Sequence, residues 1–272
     1  TLMVWFSDFF TGLPAAFLHI RSPSTLEFAC YYGLLITIAT GTFFKSRYRK
    51  WLWIAAGIGI AAWIMELRTR NDAWKITVMP LAGGDSILVD APGRREDLLI
   101  DCGDGRSSSY VVHPFLKTEG RNRIPHLLLT HGDVRHTGGA TNILSHFAVG
   151  KVFTSPVRFR SSPYRKLLEE LDETDGLRSS VSEGDRIAGW SVLYPQAEDK
   201  LSQADDGPVV LERTINGIRF LFLSDLARHG QQLLMERHPD LTADVVVSGL
   251  TRGSEPLGPA LLEQLKPRLI VI

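Results

Sequence analysis

From Phe28 to Phe44 no side chain carries a charge, and after the basic cluster Lys45, Arg47, Arg49 and Lys50 the chain is apolar again from Trp51 to Leu67, broken only by Glu66. With Thr25, Leu26 and Glu27 added, the first run gives roughly 20 residues, or about 30 Å of helix, enough for a bilayer core. The second run is about 17 residues, at the short limit for a span. Trp51, Trp53 and Trp63 lie toward its ends, where an interfacial aromatic belt would place them. A soluble hairpin apolar on all sides would need a partner large enough to cover it, and the remaining residues have a core of their own to fill. The expectation is a transmembrane helical hairpin over residues 25–70. The basic cluster outweighs Arg21 before the hairpin and Arg68, Arg70 and Lys75 after it. The positive-inside rule then puts the loop in the cytoplasm and the following domain outside.

Residues 1–24 hold Trp5, Phe6, Phe9, Phe10 and Phe17 but are broken by Gly12, Pro14 and Pro23, too interrupted for a third span. They read as an interfacial segment at the end of an absent membrane domain. The start at Thr1 and the stop inside the apolar run Leu269–Ile272 read as cut ends, with the last domain truncated at its C-terminus. Thirty basic and thirty acidic residues cancel, so no global field recruits a polyanion. Cys30 and Cys102 form neither a disulfide framework nor a zinc motif.

From residue 71 to 272 the texture becomes short strands and helices. Strands are expected at Ile76–Pro80, Ser86–Ala91, Asp97–Asp101, His126–Thr130, Val149–Thr154, Ala243–Ser248 and Arg268–Ile272, and helices at Tyr110–Lys117, Tyr164–Asp172, Gln231–Arg237 and Pro259–Leu265. Asn216-Gly217 between Val209–Arg213 and Ile218–Leu223 signals a hairpin. Hairpins first and mixed elements afterwards suggest two sheets sandwiched between helices.

Three polar clusters each end an apolar strand: Asp101-Cys102-Gly103, then Thr130 to Gly139 with His131, Asp133, Arg135 and His136, then Ser224-Asp225. Groups at strand ends converge on one sheet edge, and imidazole with carboxylate is the ligand set that zinc and manganese accept. In the same motif order, residues 75–272 resemble the metallo-β-lactamase fold, and within it the C-terminal domain of ComEC-type competence proteins. Gly84-Asp85-Ser86 resembles the end of the opening glycine-rich motif, Thr130–Gly139 the T-H-x-D-x-D-H-x-G-G signature, and Asp225 the bridging aspartate. Asp205-Asp206-Gly207-Pro208 stands where the family writes a polar turn before a strand. The resemblance implies an αββα sandwich after the membrane hairpin, in a protein of the bacterial inner membrane. It also implies an upstream channel domain outside this chain and incoming, single-stranded DNA as partner.

The departures bear on chemistry. Arg135 stands at the signature's second aspartate, Thr251-Arg252-Gly253-Ser254 at the H-H-G-S element, and Pro80-Leu81-Ala82-Gly83-Gly84-Asp85 at the opening motif. The expected metal residues are His131, Asp133, His136 and Asp225, with the second site impaired by Arg135 and Thr251. A guanidinium has no lone pair to give a metal. One zinc or manganese ion, or none, is therefore expected, with Arg135 pairing the abandoned carboxylates instead. The leading reading is a DNA-uptake protein whose lactamase-like domain is structural or DNA-guiding. The alternative is a membrane-anchored metal-dependent hydrolase or nuclease; the resemblance implies phosphodiester cleavage, and the lost ligands leave it open. The basic run Arg158, Arg160, Arg165 and Lys166 reads first as a solvated helix start and second as a nucleic-acid contact.

Overall fold

The computed structural model describes residues 2–11, 18–42, 45–82, 84–199, 201, 203–251 and 255–272. The chain forms two compact units, Thr1–Ala73 with Thr118–Gly120, and Trp74–Lys117 with Arg121–Ile272.

The first unit holds α1 (Leu2–Thr11), α2 (Thr25–Ala39) and α3 (Ser46–Asn71). A reciprocal capping box starts α2: Glu27 N donates to Ser24 Oγ at 3.2 Å and Ser24 N donates to Glu27 Oε2 at 2.7 Å. Trp63 Nε1 donates to Glu27 Oε1 at 2.7 Å and Ser24 Oγ donates to Glu66 Oε2 at 3.1 Å, so the start of α2 is tied to the end of α3. The α2 helix stops early because Thr40 Oγ1 bonds back to Ile36 O at 2.7 Å, Thr42 Oγ1 to Thr37 O at 3.0 Å, and Gly41 turns left-handed at φ 66°.

Here the structure departs from the expected hairpin. At 15 residues α2 is about 22 Å long, short of the roughly 30 Å of a hydrocarbon core. Of the basic residues expected in a loop, Lys45 is the N-cap of α3 and Arg47, Arg49 and Lys50 fall in its opening turns; the helix's apolar part, Trp51 to Met65, is also about 22 Å. Among the described residues no helix is long and apolar enough to cross a membrane. Both helices still present apolar side chains outward, among them Phe28, Leu34, Ile36, Trp53, Ile58 and Met65. Residues 12–17, part of the expected interfacial segment, lie outside the described residues.

The second unit opens with β1 (Lys75–Val78), β2 (Ile87–Asp90) and β3 (Leu98–Ile100). A helical stretch runs from α4 (Gly105–Ser107) through a π-turn (Ser108–Val112) into α5 (His113–Thr118), followed by β4 (Arg123–Leu129). Then come α6 (Val134–Thr137), α7 (Ala140–His146), β5 (Ala148–Thr154), α8 (Ser162–Asp172), β6 (Arg178–Ser180), β7 (Arg186–Ile187) and β8 (Trp190–Tyr194). The unit closes with β9 (Val210–Ile215), β10 (Ile218–Ser224), α9 (Arg228–Arg237), β11 (Val245–Ser248), α10 (Pro259–Leu265) and β12 (Leu269–Val271). Asn216 and Gly217 turn the β9–β10 hairpin with φ 52° and 80°, the mirror-image turn that suits the twist of paired strands.

Two six-stranded sheets result, ordered β1-β2-β3-β4-β5-β6 and β12-β11-β10-β9-β8-β7. Strand alternation sorts the core into layers. Ile87, Val89, Leu98 and Ile100 of the first sheet meet Trp190, Leu211, Phe222 and Val247 of the second. Leu88, Leu99, Leu127 and Leu129 face the other way, onto Val112, Leu116, Ile143 and Leu167 of the helices. Leu221, Leu223 and Val246 pack on Leu234, Leu261 and Leu265 of α9 and α10. This is an α/β fold in the order helix, sheet, sheet, helix, as the sequence pattern suggested. Strands β3, β4 and β5 are parallel neighbours in one sheet and β10 and β11 in the other, so their carboxyl ends share one edge of the sandwich.

Candidate metal centre

Three strands that end at that edge deliver the polar clusters. Past β3, Asp101 is left-handed at φ 55°, and at the end of β10 Ser224 is left-handed at φ 52°. Residues other than glycine hold such angles only where surrounding bonds enforce them, and active sites are where they collect. The bonds are present. Asp101 N donates to Leu128 O at 2.8 Å, and Ser86 Oγ donates to Asp101 O at 2.9 Å. Across the sheets, Thr130 Oγ1 and Ser224 Oγ lie 3.0 Å apart, and Val209 N donates to Thr130 O at 2.9 Å.

The buried Asp101 carboxylate organises the first half of the site. Its Oδ1 accepts from Thr130 N at 2.8 Å and its Oδ2 from Thr130 Oγ1 at 2.6 Å. With its proton given to Asp101, the Thr130 hydroxyl accepts at 3.0 Å from His131 Nδ1, which leaves the His131 lone pair on Nε2. That Nε2 is buried with no hydrogen-bond partner among the described residues. Burial, helped by neighbouring His136, pushes the His131 pKa well below its ordinary value, so the ring is neutral. Ligand atoms of His131, Asp133 and Asp205 lie within 4.8 Å of one another. A buried, unpartnered imidazole lone pair facing two carboxylates fits a divalent cation.

The second half is built differently. His136 is fully buried, with Nδ1 at 3.0 Å from Asp101 Oδ2 and Nε2 at 3.0 Å from Asp225 Oδ2. Burial alone would lower its pKa, but the two carboxylate bonds outweigh that and raise it to about 10, making the ring an imidazolium with both nitrogens donating. Arg135 lies alongside. Its Nε and Nη2 donate to Asp133 Oδ2 at 3.0 and 2.8 Å, and Nη2 reaches Asp225 Oδ2 at 3.1 Å. Burial works against Asp133 ionising, but its bonds from Arg135 prevail and hold its pKa at about 2. Two fixed cations thus stand on Asp225, where a second metal would need that carboxylate and an imidazole lone pair. In this hydrogen-bonded arrangement His136 has no lone pair to give a second ion, although ligand atoms of Asp85, His136 and Asp225 lie within 4.8 Å of one another and Asp225 Oδ1 has no hydrogen-bond partner among the described residues.

All four expected metal residues, His131, Asp133, His136 and Asp225, come together here, and Arg135 with them. Thr251 is partly buried, while residues 252–254 of the altered H-H-G-S element and Gly83 of the opening motif lie outside the described residues. Two carboxylates were read from sequence only as motif fragments and turn out to face the centre. Asp205 approaches His131 Nε2 at 3.9 Å. Asp85 groups with His136 and Asp225, and burial, reinforced by Asp225 and Asp101, raises its pKa to about 6. Gly249 lies against both acids: a Cβ there would overlap Asp225 Oδ1 and Asp85 Oδ2. No spacing in the sequence announces that approach.

Residues 79–212 match the family model of the Metallo-beta-lactamase superfamily. The chain is 29% identical over 218 residues to ComE operon protein 3 of Bacillus subtilis (strain 168), an alignment covering 73% of this chain and 28% of that relative. It therefore spans little more than a quarter of the relative's length. Among solved structures, MIM-2 metallo-beta-lactamase is similar at 15% identity and a TM-score of 0.45, over 63% of this chain and 71% of that one. A Cronobacter sakazakii metallo-beta-lactamase with a HARLDQ motif is similar at 14% identity and a TM-score of 0.44, over 63% and 69%. The likeness to ComEC-type competence proteins read from the motifs is carried by the aligned sequence.

Proposed function

We propose, with the superfamily match as premise, that this chain is the membrane-attached, lactamase-like part of a ComEC-type DNA-uptake protein, and that its centre holds at most one divalent metal and guides incoming single-stranded DNA rather than cutting it. The alignment to ComE operon protein 3 supports the competence reading. The outward apolar side chains of α2 and α3 support attachment to the bacterial inner membrane, with the lactamase-like domain outside the cytoplasm by the charge rule. In this reading residues 1–24 are an interfacial segment, 25–70 the membrane hairpin and 71–272 the lactamase-like domain, with the channel supplied by the rest of the longer protein.

One observation carries the proposal: the Arg135 guanidinium bonds Asp133 and Asp225 together. Two ions about 3.5–4 Å apart clamp the attacking and leaving oxygens of phosphodiester cleavage, and one ion cannot do both. His131, Asp133 and Asp205 would hold a zinc or manganese ion, which when bound polarises a phosphoryl oxygen. The chain's own part is then to keep His131 in the Nε2 lone-pair form through Thr130 and to hold Asp225 away from that ion through His136 and Arg135.

Incubating the purified chain with labelled single- and double-stranded oligonucleotides and manganese should give no cleavage above a chelated control. The second reading, a one-metal hydrolase, is favoured by the unpartnered His131 Nε2. Manganese-dependent cleavage that disappears in His131→Ala would make it the function and overturn the guiding role.

A further inference from the structure

Segment 155–161 leaves the end of β5 at the edge that carries the centre and leads into α8. Phe159 is turned inward. It is 7% exposed, its ring lies edge-on to His131 at 6.4 Å and to Tyr164 at 5.6 Å, and any side chain at Gly132 would overlap it. Its two neighbours, Arg158 and Arg160, are exposed, as are Arg165 and Lys166 on the opening turns of α8. Among the described residues no carboxylate pairs with Arg158, Arg160 or Arg165, and Lys166 reaches only the exposed Glu170 at 3.8 Å. The arginines with a structural part behave otherwise: Arg121, Arg135, Arg178, Arg213 and Arg237 each hold a carboxylate.

The centre next door is acidic, with Asp85, Asp101, Asp133, Asp205 and Asp225 set against Arg135 and His136. It gives a polyanion no reason to approach. Cations that carry no protein partner, fixed to a segment whose Phe159 is wedged against His131 and Gly132, supply one. We infer that segment 155–161, through Arg158 and Arg160 with Arg165 behind them, is a ledge that takes the phosphodiester backbone of single-stranded nucleic acid and leads it past the centre. This rests on the DNA-guiding reading above. Because Phe159 is buried, the ledge offers no stacking platform, so the contact is to phosphate and indifferent to base sequence.

The test is fluorescence anisotropy of a labelled oligo(dT) strand with the full chain in detergent, over a salt series. Arg158→Glu with Arg160→Glu should weaken binding at least tenfold at 50 mM salt. It should also flatten the slope of log affinity against log salt by about 1.4, since each phosphate contact on a single strand contributes roughly 0.7. Arg158→Gln with Arg160→Gln should fall between. Arg186→Glu with Arg268→Glu, the same charge change on exposed positions of the second sheet's flanks, should stay within twofold of wild type. All four positions are exposed, and equal unfolding midpoints check that the variants fold. Wild-type binding that survives the ledge reversal overturns the ledge and leaves the guiding role standing. No wild-type binding at all overturns the guiding role and the ledge with it. If the reversal instead abolishes binding to phosphatidylglycerol vesicles while oligo(dT) binding is unchanged, the segment is a lipid contact and the inference fails.

Discussion

Arg135→Asp should lower the unfolding midpoint of the lactamase-like domain in chelator by roughly 6–12 °C, about 3 kcal/mol for a domain of this size. Removing one partner of a buried pair commonly costs about 3–5 kcal/mol, because the remaining charge is left uncompensated. The lower end applies here, since Arg135 is 21% exposed while its partner Asp225 is 1% exposed. The new carboxylate would also stand beside Asp133 and Asp225, and like charges at such spacing do not all ionise without cost. Added manganese should recover part of the loss, because the substitution returns an oxygen ligand to the place the guanidinium held. Thermal unfolding of the full chain, wild type against variant, with chelator and with manganese, measures both effects. An unchanged midpoint in chelator would show that the guanidinium contributes nothing to the centre.

Asp101→Asn should cost as much or more. The carboxylate accepts from Thr130 N, Thr130 Oγ1 and His136, all inside a fully buried site. An amide keeps one acceptor oxygen but presents a donor where His136 Nδ1 also donates, so one buried group goes unpaired. The expected loss is about 3 kcal/mol. The pH dependence should change with it. His136 has its folded pKa raised from about 6.5 to about 10, so its stabilisation is fully present below pH 6.5 and is lost as pH climbs through 10. Wild-type protein in chelator should therefore lose more of its midpoint between pH 7 and 10 than Asp101→Asn does. Equal slopes would contradict the charged clamp between Asp101 and Asp225.

Most of the sandwich was legible because its strands are short apolar runs bounded by turn and polar residues. Residues 87–89 and 98–100 are apolar throughout because both of their faces are buried, Ile87, Val89, Leu98 and Ile100 on one layer and Leu88 and Leu99 on the other. Strands β6 and β7 were missed for the opposite reason: β6 is Arg178-Ser179-Ser180, β7 is two residues long, and neighbouring elements supply the burial that their own composition does not announce. β8, Trp190–Tyr194, does alternate buried and half-buried residues, so that reason does not cover it. The β7–β8 turn uses Ala188 and Gly189, with φ 49° and 78°, in place of a recognisable Asn-Gly pair. Helix α6 lies inside the signature motif, and α7 follows directly after it, where no capping residue marks its start.

The site was legible as far as a motif could carry it. His131, Asp133, His136, Asp225 and the substituted Arg135 stand out through the family signature that the sequence resembles. Asp205 and Asp85 reach the centre only because Val209 N bonds Thr130 O and Gly103 N bonds Asp85 O, ties between distant strands that no local pattern encodes. The apolar helices α2 and α3 show the reverse error. The apolar run continues to Phe44, but α2 ends at Ala39, where Thr40 and Thr42 return their hydroxyls to its last carbonyls and Gly41 turns left-handed.

The central claim is that Arg135 and His136 occupy, as fixed cations, the place where a second metal would sit. Elemental analysis of the purified full chain after equilibration with zinc or manganese and removal of excess tests it most directly. The account predicts no more than one tightly bound ion per chain, lost in His131→Ala and retained in His136→Ala. Two ions per wild-type chain would contradict it.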